Sequence, residues 1–244
     1  MTEYRTENDL LIGSPLDQWV PPARPGNEPM QGMYCRVERL HIETHAADLF
    51  AANSHDAQHI NWTYLPYGPF ATLQDYCAWI ESACLGADPL FHAIVDLETE
   101  TAVGVASFLN INPQNGSIEV GHINYSPALQ STRAATEAMY LMMKRAFELG
   151  YRRYEWKCNA LNQKSRNAAQ RLGFSYEGVF RQHMVVKSRN RDSAWYAAVD
   201  SEWPALRAAF EKWLAPVNFT ADRQQRDSLS SLTAPILVSR HGAG

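Results

Sequence analysis

The pattern of apolar and polar positions along the chain changes period several times, and the changes mark out its elements. Between about residues 32 and 42, Tyr34, Arg36 and Glu38 alternate with Cys35, Val37 and Arg39, which predicts a strand. Thr44 stands where it would cap a short helix carrying Leu49 and Phe50. Thr72 caps a second helix, with Asp75 in its first turn and Leu73, Tyr76, Cys77, Ile80 and Cys84 along one face. Residues 90–97 and 102–111 predict two strands about the polar Glu98-Thr99-Glu100-Thr101. The turn Asn112-Pro113-Gln114-Asn115-Gly116 leads to a third strand, residues 117–125. A helix over 132–149 buries Ala135, Ala138, Met139, Met142, Ala146 and Phe147 and stops at Gly150. A strand at 151–158 and a short helix at 163–172, ended by Gly173, come next. Strands at 176–187 and 194–200 flank Arg189-Asn190-Arg191-Asp192, and an amphipathic helix spans 202–214. This order predicts an α/β fold with a mixed sheet.

The ends read differently. Residues 1–32 are rich in Pro, Gly and polar groups and read as an arm. Residues 215–244 form a polar tail until Ala234–Ser239, which would add a strand or drape the surface. The domain proper is expected at 33–214.

Composition narrows the class. Of 244 residues, 45% are hydrophobic and 20% charged, enough apolar material for a sizeable core. A net charge of −4 gives no reason to expect a nucleic-acid or anionic-membrane surface. With no signal pattern and no membrane-length apolar run, a soluble cytoplasmic protein is expected. The 4 cysteines make no disulfide framework. Cys77 and Cys84 lie roughly 10 Å apart along a helix, too far for a bridge. His55 and His59 have the spacing of a metal pair, but neither the glutamate of a zinc-protease motif nor a third ligand accompanies them, so no metal is expected.

The segment richest in chemistry joins a strand to the long helix: Gln130-Ser131-Thr132-Arg133-Ala134-Ala135-Thr136-Glu137-Ala138. The free amides of a helix's first turn favour an anion, although every such junction has them. Glu119-Val120-Gly121-His122-Ile123-Asn124-Tyr125 precedes it; Asn162-Gln163-Lys164-Ser165, Arg171-Leu172-Gly173-Phe174 and Glu177-Gly178 follow. In this order the chain resembles the GNAT acetyltransferase superfamily, in its RimJ/RimL-like branch (ribosomal-protein alanine acetyltransferase-like), over about residues 33–214. Asn-x-x-Ser before Leu-Gly-Phe, and Arg191-Asp192 before Glu202-Trp203, are its most specific parts.

The resemblance implies a mostly antiparallel sheet of about seven strands with flanking helices, splayed to admit acyl-CoA. It implies acetyl-CoA as cosubstrate and a primary amine, a protein N-terminus or a small molecule, as acceptor. It is also compatible with a homodimer, with another donor such as succinyl-CoA, or with a noncatalytic CoA-binding module. The backbone of Ile123 and Tyr125 would meet the pantetheine, and Gln130, Ser131, Thr132, Arg133, Ala134, Ala135 and Thr136 the pyrophosphate. The family pattern there is Gln/Arg-x-x-Gly-x-Gly/Ala. This chain has Arg133 at the first glycine, where a guanidinium can pair with phosphate, and Ala135 at the last position.

Acyl transfer to an ammonium needs a base, an oxyanion donor and a proton for the departing thiolate. Family spacing places Glu119 as the base, against its reading as an edge-strand glutamate facing solvent or pairing with arginine; His122 is the alternative base. Strict alternation puts Glu119 and His122 on opposite strand faces unless a bulge intervenes. The resemblance sets Asn162 beside the pantetheine and Ser165 near the sulfur as proton donor, although both residue types also cap helices. Tyr125 is a second acid candidate. Trp62, Tyr64 and Tyr67, on an aromatic loop, are candidate acceptor-pocket walls or core. The resemblance adds Arg181 and His183 from the closing hairpin.

Overall fold

The changes of period become elements in a computed structural model that describes residues 3–222 and 224–242. The arm holds a small hairpin, β1 (Tyr4–Arg5) with β2 (Leu11–Ile12), then β3 (Met30–Gln31). Strand β4 (Cys35–Arg39), helices α1 (Ile42–Ser54) and α2 (Leu73–Ala83), and a 3-10 turn at Ile60–Trp62 between the helices follow. Strands β5 (Leu90–Asp96), β6 (Thr101–Asn112) and β7 (Ser117–Tyr125) lead into α3 (Arg133–Glu148). The remainder is β8 (Arg153–Asn159), α4 (Gln163–Arg171), β9 (Ser175–Val186), β10 (Arg189–Val199), α5 (Trp203–Leu214) and α6 (Leu229–Thr233).

Eight strands make one sheet in the order β3-β4-β5-β6-β7-β8-β10-β9, antiparallel throughout except for the parallel pair β7–β8. The expected sheet of about seven strands is thus eight, because the end of the arm pairs as β3. Alternation along the strands divides the core between two faces. Ile118, Val120, Ile94 and Phe108 meet α3, α5 and Phe174 on one; Phe91, Ala93 and Val105 meet Leu49, Tyr76 and Ile80 on the other. Each large side chain buried this way contributes about 1.5–3 kcal/mol. Among the described residues, no helix is long and apolar enough to cross a membrane.

Three local expectations change. Helix α1 begins at Ile42, not at Thr44, because the His45 ring closes its first turn by accepting the His41 amide at 3.0 Å. Strands β9 and β10 meet at Lys187-Ser188, so Arg189–Asp192 is strand and not turn. Both turn residues have positive φ, 48° and 57°, a conformation that normally selects Asn or Gly and so hid the turn. The tail packs onto the domain: Leu229 is fully buried in the main core, and the Tyr176 amide donates to the Ser239 carbonyl.

Candidate functional site

Pairing between β7 and β8 runs from Ser117↔Arg153 to Val120↔Trp156 and then stops. On its other edge β7 carries a bulge. Ser107 faces Gly121 and Val105 faces Asn124, so His122 and Ile123 together oppose the single Ala106. His122 takes the left-handed conformation, φ 50°, that lets the strand bend. The two strands diverge above this point and open a cavity of about 1890 Å³ between β7, β8, and the starts of α3 and α4. The bulge also resets alternation. Ile118 and Val120, then Ile123 and Tyr125, face the α3 side; Glu119 and His122 therefore share the other face. The opposite-face expectation is corrected.

At one end of the cavity the start of α3 presents polar backbone. The Thr132 hydroxyl caps it, accepting from the Ala135 amide at 3.0 Å, while the amides of Ser131, Arg133 and Ala134 have no partner among the described residues. Gln130 does not point into this nest. Its Nε2 donates to the Tyr125 carbonyl and to Asn61 Oδ1, both at 2.9 Å. The Arg133 guanidinium lies over the rings of Tyr34 (4.4 Å) and Phe219 (5.0 Å), without a carboxylate partner. Arg171, which sequence reasoning passed over as a site residue, sits beside it. It donates to Thr136 Oγ1 at 3.1 Å and stacks on Trp213, and burial lowers its pKa. Two guanidiniums without a carboxylate partner and a helix start give this end the donors and the positive charge that suit an anion.

At the start of α4, Asn162 Oδ1 accepts from the Ser165 amide at 3.1 Å, so the asparagine does cap the helix. The Ser165 hydroxyl accepts from Trp156 Nε1 at 3.0 Å, hydrogen-bonds the Cys158 thiol and lines the cavity. Tyr125 is placed otherwise: its phenol donates to the Ala135 carbonyl at 3.2 Å. Deep burial raises its pKa. That geometry ties β7 to α3 and holds the phenol proton in a fixed bond.

Glu119 lies where the strands part, 5% exposed. Its Oε2 accepts from Lys157 Nζ and from Asn110 Nδ2, each at 2.7 Å, and Oε1 is left without a hydrogen bond. Burial raises the carboxyl pKa, opposed by Lys157 and Asn110. Lys157 also bridges to Glu155 at 2.9 Å and lies over the Trp195 ring at 4.0 Å. His122 stacks on Tyr67, whose hydroxyl is 3.1 Å from Nδ1. Burial, helped by the charge of Arg191, pushes the imidazole down to about 4.

The proposed walls sort themselves. Tyr64 lines the cavity, and Tyr67 reaches it through His122. Trp62 is instead core, 4% exposed and packed edge-on against Phe70, so it walls nothing. His183 lines the cavity, 2.9 Å from Ser193 Oγ, whereas Arg181 is exposed and off it. A bulge on β9 sets Arg181, Gln182 and His183 together opposite the single Asp192, with Gln182 at φ 52°, so plain alternation does not keep Arg181 and His183 on one face. Asn110, Lys157, Arg191 and Trp195 were missed, because single polar residues on strands carry no local signal. His55 and His59 are exposed, and no group of three metal-ligating side chains occurs among the described residues.

Comparison with known proteins places these features. A family model described as an acetyltransferase (GNAT) domain matches residues 37–175. A crystal structure of a GCN5-related N-acetyltransferase from Brucella melitensis is 44% identical, with a TM-score of 0.88, over 90% of this chain and 100% of that one. A probable acetyltransferase (GNAT family) from Chromobacterium violaceum is 37% identical, with a TM-score of 0.75, over 80% and 98%. The fold is also that of the microcin C7 self-immunity acetyltransferase MccE, solved with acetyl-CoA and AMP: 20% identity, TM-score 0.60, 69% and 93% coverage. No protein with a curated description gives a match.

Proposed function

The chain belongs to the GNAT acetyltransferase family, and from that premise we propose that it moves an acetyl group from acetyl-CoA to a primary amine by direct attack, as a member of the RimJ/RimL-like branch. One observation carries the assignment of roles: Glu119, with a free Oε1, opens into the same cavity as the unpartnered amides at the start of α3. The donor fits this chain's residues. The amides of Ser131, Arg133 and Ala134 with Arg133 and Arg171 would hold the diphosphate, and the edge of β7 that β8 leaves free at Ile123 and Tyr125 would meet the pantetheine. Acetyl-CoA, when bound, supplies the activated acyl group.

The residues then divide the work. Glu119 takes the proton of the acceptor ammonium, leaving a nitrogen lone pair to bond to the thioester carbon. Burial raises its pKa and makes it a better proton acceptor, while Lys157 and Asn110 oppose that shift by favouring the carboxylate. As the C–S bond breaks, the Ser165 hydroxyl would give the sulfur a proton and recover one from the newly acylated nitrogen, which must lose its extra proton to become an amide. His122 is less suited to be the base. Burial and the charge of Arg191 hold its imidazole down to about 4, which makes it a weak proton acceptor. The 4 unpaired cysteines support a reducing, cytoplasmic setting.

Amine-dependent release of free CoA thiol, with the acceptor gaining the mass of one acetyl group, tests the assignment. Binding of CoA without thiol release for any amine would make the protein a CoA-binding module; release from succinyl-CoA alone would change the donor.

A further inference from the structure

The acceptor side of the cavity contains a cation that forms no ion pair among the described residues. Arg191 extends from β10, half-buried, into the space shared by Glu119, Lys157, His183 and Trp195. Its Nε donates to Ser193 Oγ at 3.2 Å, and no carboxylate of the described residues reaches ion-pair distance. Neighbouring cations are treated differently. Lys157 lies between Glu119 (2.7 Å) and Glu155 (2.9 Å), and Arg153 between Glu155 (2.6 Å) and Glu177 (2.5 Å). The direct contacts of the local carboxylates thus go to one ladder across β7, β8 and β9, and Arg191 feels Glu119 without touching it. A partly buried charge without a counter-charge costs stability unless a ligand supplies one.

Two further groups are in the same condition. Asn124 is 2% exposed, and neither atom of its side-chain amide has a partner. It lies on the cavity wall, on the strand face of His122. Trp195 Nε1 is likewise buried and unpartnered, on the strand that carries Arg191. The guanidinium and the indole are donors, and the amide offers both a donor and an acceptor, so the three are open to a polar ligand. A guanidinium presents a planar fork that matches a carboxylate.

We propose that Arg191 receives a carboxylate of the acceptor, and that the acceptor is a small amino acid whose amine meets Glu119 while its carboxylate docks on Arg191. This rests on the acetyl-transfer reading above and narrows it. A polypeptide N-terminus offers a neutral peptide group where a free amino acid has its carboxylate, and it leaves Arg191 unpaired.

The test uses amino acids in pairs, each as free carboxylate and as carboxamide, with acetyl-CoA saturating and thiol release as readout. Wild-type kcat/KM is expected to favour the carboxylate by about 10- to 100-fold, the range of a charge-assisted pair. Arg191→Gln should bring that ratio close to one, chiefly through the carboxylate's KM, and Arg191→Lys should retain part of it. Carboxamides that match carboxylates in the wild type, or a ratio that survives Arg191→Gln, would overturn the proposal. A second measurement works without turnover: calorimetric titration of N-acetyl amino acids into the CoA-loaded protein, expected to weaken about tenfold or more in Arg191→Gln. Arg191-dependent binding with no thiol release would keep the anion site and sink acetyl transfer. Release with carboxamides but not carboxylates would do the reverse, and neither binding nor release of any carboxylate would overturn the anion site.

Discussion

At the start of α3 the cavity is faced by backbone amides and two arginines, Arg133 and Arg171, whose positions follow from one helix and the end of its neighbour. Across the cavity it is faced by Asn110, Glu119, Lys157, His183 and Arg191, one from each of the five strands β6 to β10. The first side is made by secondary structure itself, since any helix start exposes donors. The second exists only when five strands sit in one register, with bulges between β6 and β7 and between β9 and β10. A ligand common to a whole family suits the first construction; a substrate particular to one member suits the second, where single side chains change the pocket and leave the frame intact.

Charge reversal should separate the two sides most sharply. Arg133→Glu combined with Arg171→Glu places two carboxylates at the proposed diphosphate site, and CoA affinity by calorimetry is expected to fall about 100-fold or more. Unchanged affinity would remove both arginines from that site. Ser165→Ala should then cost about ten- to a hundredfold in turnover, with acetyl-CoA affinity little changed. Full activity would return Ser165 to its place beside the Trp156 indole as a packing group.

The smallest effect is on stability and comes from the acceptor side. His122 is held near 4 in the folded protein by burial, then by Arg191, against an ordinary 6.5. The unfolded chain therefore binds the proton first as pH falls. Stability from this group is complete above about pH 6.5 and is lost on the way down to about 4, up to about 3 kcal/mol. Buried His92, also pushed down to about 4, adds in the same window. Denaturant midpoints of His122→Gln should accordingly fall less between those limits than those of the wild type; parallel curves would show that the imbalance lies elsewhere.

The same division separates what the sequence made legible from what it hid. Thr132, the apolar face of α3 and Gly150 announce a helix and its ends from adjacent residues. With the order of Glu119, Asn162, Ser165 and Leu172-Gly173-Phe174, that is enough for the fold and for the helix start that faces the cavity. The bulge left no such mark, because a left-handed histidine looks like any other strand residue, and with it went the shared face of Glu119 and His122. The Lys187-Ser188 turn was equally silent, so Arg191 was taken for a turn residue instead of a strand residue aimed into the cavity. Lys157 resembled a solvent-facing strand lysine until β7, β8 and β9 brought three carboxylates around its ladder.

If the two sides do different work, Glu119→Gln must separate chemistry from donor binding. Turnover and CoA affinity measured on that one variant, at neutral and alkaline pH, decide the matter. Turnover at neutral pH is expected to fall about 10²- to 10⁴-fold and to recover in part at high pH, where free amine is abundant, while CoA affinity stays near that of the wild type. Near-normal turnover, or CoA affinity lost in parallel with it, would contradict the assignment of Glu119 as base and the separation of the two sides.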